Sequence, residues 1–167
     1  MVKTKLTELF TSRLKEVLTE GKWVIGTNFK DQITDLSWKE AIQKIGPLNS
    51  IADLTFHTSY YIAGVADVLE GGALEIRDQY SFDYPPVKSD QDWKGLVNKF
   101  GTDSERFINL VQKMSEEKLY QPFVDEQYGN YLRNLDALIE HTYYHFGQVV
   151  IIRKMIKSGI KMIFPPL

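Results

Sequence analysis

The sequence predicts an all-α chain folded as a four-helix bundle, with a long irregular loop between its second and third helices. Three observations carry that expectation: apolar residues recur at steps of three and four over four long segments, no set of segments alternates as strands do, and Ser, Asp, Gly and Pro punctuate the places where helices start and stop. With 167 residues, 43% of them apolar and 25% charged, the chain suits a single domain, 1–167, with a sizeable core.

Leu6, Leu9, Phe10, Leu14, Val17 and Leu18 place the first helix from about Thr4 to Glu20, and Gly21 stops it. The stretch 22–46 is less regular. Ser37 and Glu40 have capping-box spacing and open a short helix that Gly46-Pro47 breaks, so this stretch reads as a helical connector. Ser50 and Asp53 repeat the box and start the second long helix, whose stripe Leu54, His57, Tyr61, Val65 and Val68 runs to Gly71-Gly72.

The segment that follows, ALEIRDQYSFDYPPVK, is aromatic, irregular and closed by two prolines. It is too long for a tight bundle turn, and long ordered loops are often functional. Ser89 and Asp90 can cap the third helix, with Asp92 in its first turn and Leu96, Phe100, Phe107, Ile108, Val111 and Met114 as its stripe; Ser115 ends it or starts a short turn. Tyr120 to Gly129 carries Pro122 and reads as a connection with a small extended excursion. The fourth helix starts near Asn130, and Arg153, Lys154 and Lys157 suit its negative end before Gly159 lets the chain leave. The tail IKMIFPPL is apolar and needs cover from its own bundle or a partner chain.

A net charge of -2 offers no basic stripe for a phosphate backbone, so no nucleic acid partner is expected. Without cysteine the chain has no disulfide, no thiolate ligand and no nucleophilic thiol, and any thiol chemistry must use an external thiol. The N-terminus lacks an apolar signal region and nowhere do about eighteen apolar residues run together, so no membrane partner is expected and a cytoplasmic location is the default.

The chemistry concentrates on the fourth helix. Leu138, His141, His145, Gln148 and Ile152 follow at steps of three and four, which sets both imidazoles on the stripe facing the core. Two histidines one turn apart on a rigid helix are a common grip for a transition metal, and His57 on the second helix is the candidate third ligand. Three protein ligands leave a position open for water or substrate. Imidazole suits zinc first, with nickel or iron also suited. The competing reading is three core histidines satisfied by tyrosine hydroxyls or backbone carbonyls.

Other chemistries lack their residues. A zinc protease needs His-Glu-x-x-His, and Thr142 stands where the glutamate would be; ferritin-like sites need Glu-x-x-His on two helices; deaminases and thiolate zinc sites need cysteine. What survives is three neutral imidazoles on a divalent ion, able to lower the pKa of water, as in a hydrolase, or of an external thiol.

Two stretches, NSIADLTFHTSYY at Asn49 to Tyr61 and IEHTYYHFGQVVIIRKMI at Ile139 to Ile156, resemble the DinB-like superfamily of metal-binding four-helix proteins. Its relatives include bacillithiol- and mycothiol-dependent transferases. The second stretch matches His-x-x-Tyr-His-x-Gly-Gln followed by an apolar, basic helix end, and Tyr84-Pro85-Pro86 is similar to a Trp/Tyr-Pro element in one branch. The resemblance implies a metal triad of His57, His141 and His145, a homodimer, and transfer of a small thiol to an electrophilic small molecule, with the loop Tyr80 to Pro86 helping to admit the substrate. A noncatalytic metal-binding dimer, serving sensing or partner binding, is the alternative.

Gln148, Tyr61 and Tyr144 are the candidates for supporting the ligands or lining a pocket, although core packing explains most such aromatics. Gly147 is expected to let the fourth helix approach a neighbour closely. Glu140 points about 100° away from His141 and reads as a solvated or interface carboxylate.

Overall fold

Three of the four long helices open on a side chain that accepts a hydrogen bond from the third residue inside, as the sequence pattern requires. Ser50 accepts from the Asp53 amide, Ser89 from Asp92 and Asn130 from Arg133. The computed structural model describes residues 5–21 and 23–159, and the expected cover of the apolar tail falls on 160–167, outside the described residues.

Among the described residues the chain is all-helical. The long helices are α1 (Leu6–Leu18), α4 (Ile51–Leu69), α5 (Asp90–Lys113) and α7 (Tyr131–Lys157). Three short ones lie in the connections: α2 (Phe29–Thr34), α3 (Trp38–Ala41) and α6 (Glu116–Leu119). α4 packs against α5 and α7, and α1 packs against the same two, so each long helix touches two others around one core. Among the described residues no helix is long and apolar enough to cross a membrane.

The core joins the connector to the long helices. Phe29 of α2 stacks on Phe100 of α5 and Phe146 of α7, with ring centroids 4.7 and 5.8 Å apart. Trp93 is buried and its indole N–H donates to the Leu36 carbonyl at 3.0 Å, which satisfies the one polar atom it takes inside.

The connector is more ordered than its pattern predicts. Asn28 caps α2, a helix without a long apolar stripe, and the Ser37–Glu40 box is formed in both directions at α3. The first helix ends at Leu18, two residues early, because the Glu20 and Gly21 amides both turn back to the Lys15 carbonyl. Leu9, placed on its inner stripe by spacing, is exposed. The excursion after α6 is a single antiparallel bridge between Pro122 and Asn130, with a 3-10 turn at Glu126–Tyr128.

The loop 70–89 is pinned to α4 at three tyrosines. Tyr60 bonds the Arg77 backbone on both sides, Tyr61 donates to Asp78 at 2.7 Å, and Tyr84 donates to Asp53 at 2.8 Å. Asp53 is also the third residue of the Ser50 cap and the partner of Lys44. Burial alone would raise its carboxyl; the hydrogen bonds from Lys44, Ser50 and Tyr84 outweigh that and leave it below the usual range. Gly64 permits the close approach of this loop, since a Cβ there would meet Ile76 Cγ1 at 2.5 Å.

Candidate metal centre

Packing of α4 on α7 brings His57 beside the pair one turn apart on α7. His57 Nε2 lies 3.1 Å from His141 Nε2, and His145 Nε2 lies 3.0 Å from the same atom. One ligand atom from each residue falls within 4.8 Å of the others. His57 and His145 are buried, and His141 is half-buried with one side toward a cleft.

The outer nitrogens decide what the inner ones can do. His57 Nδ1 is 3.3 Å from the Ser81 carbonyl oxygen, which only accepts, so the ring hydrogen sits on Nδ1 and leaves Nε2 as a bare lone pair. His145 Nδ1 is 2.9 Å from Gln148 Oε1, with the same consequence. Both lone pairs meet at His141 Nε2. That atom carries at most one hydrogen and cannot satisfy two acceptors, while His141 Nδ1 is buried without a partner if the hydrogen moves there.

A cation resolves the conflict, because three lone pairs then share one acceptor of electrons. Ligands at about 2.0–2.1 Å in tetrahedral array stand roughly 3.3 Å apart, close to the separations seen for His141. The three histidines could therefore hold a metal ion. Burial holds them neutral, as ligands must be: His57 and His141 are pushed down to about 4, by desolvation first and by the charge of His145 second, and desolvation lowers His145 as well.

The supporting residues divide. Gln148 is placed on His145 Nδ1, as a residue three positions on in a helix should be. Tyr61 sets its ring edge-on to His57 and His141, with centroids 5.0 and 4.9 Å away. Burial and the bond to Asp78 push its hydroxyl up to about 12, so it stays a neutral donor. Tyr144 is edge-on to His145 but 65% exposed, on the outer side of α7. Glu140 pairs with Arg133 at the surface. Gly147 does not make a close helix contact: it is exposed, and a Cβ there would meet nothing within 4 Å.

Phe82 and Ser81 carry no signal of their own in the sequence beyond lying in an aromatic loop. Phe82 stacks face to face on His57, at 4.3 Å and 16° between ring planes, and walls that side of the site. The approach lies elsewhere. A cleft of about 340 Å³ reaches His141 between α4, the Leu74–Asp78 segment and α7, lined by Tyr61, Leu74, Ile76, Asp78 and Leu138 among others.

A solved structure, described as the conserved protein of locus from Enterococcus faecalis, matches with a TM-score of 0.68 at 15% identity, covering 93% of this chain and 99% of that one. At that identity the likeness shows a shared fold alone. No family model and no curated protein matches the sequence.

Proposed function

We propose that this chain is a divalent-metal protein of the DinB-like four-helix-bundle kind, and that it transfers a low-molecular-weight thiol to an electrophile. The observation that carries the metal is the meeting of three Nε2 atoms, where the Ser81 carbonyl and Gln148 leave His57 and His145 with two lone pairs and at most one hydrogen, on His141, between them. The thiol and the electrophile rest on the resemblance of Asn49 to Tyr61 and Ile139 to Ile156 to the thiol-dependent members of that superfamily. His57, His141 and His145 are the ligands, zinc the first choice of ion, nickel and iron the others.

When bound, such an ion keeps its double charge among three neutral ligands and brings a thiol well below its free pKa of roughly 8.5. The chain's own residues do the rest. Ser81 and Gln148 fix the tautomers of His57 and His145, Phe82 shields His57, and the cleft beside Tyr61 leaves one side of His141 approachable. In the transfer the thiolate sulfur forms a bond to an electrophilic carbon, whose leaving group departs with its electron pair, and the thiol proton goes to solvent. Asp78 and Tyr61 in the open cleft support an enzyme over a closed noncatalytic site.

The test is conjugation of an added thiol to a chromogenic electrophile by zinc-loaded protein made without a histidine tag. Activity should need the thiol, vanish with a strong chelator, return with metal, and be lost in folded His57→Ala, His141→Ala and His145→Ala variants. Variants as active as the parent, or no reaction above background with any pair tried, would leave the noncatalytic bundle as the account. A homodimer is proposed with either reading, with exposed Tyr144 and Ile151 of α7 as apolar surface to be covered. Sedimentation showing only monomer at tens of micromolar would remove it.

A further inference from the structure

The cleft beside His141 has a chemical character of its own. Its walls are largely apolar, with Val65, Leu74, Ile76, Phe123 and Leu138 among the lining residues, and its polar groups are Tyr61, Asp78, Tyr128, Asn134 and His141. The Tyr61 hydroxyl is spent on Asp78, and the Asn134 amide hydrogens are spent on the Tyr128 and Asn130 carbonyls. Among the described residues no Lys or Arg lines the cleft, and Asp78 has no ion-pair partner. The connecting segment that brings Phe123 and Tyr128 adds Asp125 and Glu126 and no basic residue. Arg77, the one cation in Leu74–Asp78, is not among the lining residues.

The end of this cleft at Asp78, with a carboxylate outside any ion pair and no side-chain cation, discriminates by charge. A carboxylate or phosphate seated at that end would gain no partner and face Asp78, whereas an ammonium group would gain one; a divalent ion at the histidines would draw an anion to the opposite end, beside His141. We infer that this cleft seats the organic body of the molecule that reacts at the histidines, and that this body is apolar and carries a cationic group for Asp78. The inference deepens the proposed function and rests on it for the word "reacts". The charge preference at the Asp78 end follows from the cleft walls alone.

The experiment uses probes that share one body and differ in charge: (3-phenylpropyl)trimethylammonium, 3-phenylpropanol and 3-phenylpropanoate. The quaternary ammonium has no lone pair to offer a metal, so its binding reports the cleft. Each is titrated into zinc-loaded full-length protein while the methyl resonances of Leu74, Ile76 and Leu138 are followed, and zinc content is measured on the same sample. The cation should bind about fivefold tighter than the alcohol, the size being that of one solvent-exposed charge contact, while the carboxylate, which can ligate the zinc, reports the ion and not Asp78. Asp78→Asn should bring the cation down to the alcohol's affinity and leave the alcohol unchanged, and Leu138→Trp should block all three.

The inference is overturned if the alcohol binds as tightly as the cation, if Asp78→Asn leaves the preference intact, or if the shifted methyls lie outside the cleft. Protein that takes up no zinc yet keeps the preference would sink the metal reading and uphold the cleft. Protein that takes up zinc and shows no preference would do the reverse.

Discussion

His57 and His141, separated by 84 positions in the chain, place their Nε2 atoms 3.1 Å apart. Neither helix alone explains that contact. It follows from the packing of α4 on α7, with the Ser81 carbonyl turning His57 so that its lone pair faces inward. His141 Nε2 can offer one hydrogen to the two lone pairs that meet there, which leaves one unmatched, so a bound cation should stabilise the fold as well as occupy the site. Metal present at a hundred times its Kd should add about 2.7 kcal/mol. Thermal melts with and without zinc check this, and a Tm that zinc leaves unchanged would contradict it.

Gln148 acts on the site through His145. Its oxygen, 2.9 Å from Nδ1, holds the ring with Nε2 toward the other two histidines. Gln148→Ala should weaken zinc affinity about 10- to 100-fold, the range for partners of metal ligands, with the fold retained. Gln148→Glu keeps an acceptor and should restore most of it. Competition against a chromogenic chelator gives both values; equal affinity in the alanine variant would mean that the ring needs no such support.

Two glycines inside helices should respond in opposite directions. Gly147→Ala adds a methyl into open space and should stabilise by up to about 1 kcal/mol, the helix propensity difference. Gly64→Ala gains the same propensity but forces Ile76 aside, and overpacking of about 1–3 kcal/mol should outweigh it. Denaturant unfolding measures both. Destabilisation by Gly147→Ala would show that a second chain or segment covers that face.

Much of this was legible in the residues. The capped starts at Ser50 and Ser89, the helix start near Asn130, the stripe through His57, and the pair His141 and His145 are local patterns, and local patterns survive folding. Which side of His57 a loop covers is not local: the aromatic run marked the loop, but Phe82 reaches the imidazole because three tyrosines pin the backbone beside it. The cleft was illegible for the same reason, since its walls come from four separate segments. Gly147 was misread because a helical glycine signals close approach only when a neighbour stands opposite, and spacing does not say where neighbours stand.

Acid should weaken the tie between α3 and α7. Glu40 accepts from Lys157 and from the Ser37 backbone and hydroxyl, and these hold its carboxyl at about 2, against an ordinary 4.5. The folded form is thus the one that keeps the charge. The stability it contributes is complete above about 4.5 and is lost as pH falls toward about 2. Glu40→Gln should lower Tm at neutral pH, and its gap from the parent should close over that window. A gap that stays constant from neutral pH to the acid end would contradict the assignment.

The triad is tested most directly by elemental analysis of the full chain purified without a histidine tag, beside His145→Ala and Glu140→Ala variants. About one divalent ion per chain in the parent and in Glu140→Ala, with loss in His145→Ala, is the predicted result. No bound metal and no uptake on adding it, or equal retention in the two variants, would contradict the assignment of His57, His141 and His145 as ligands.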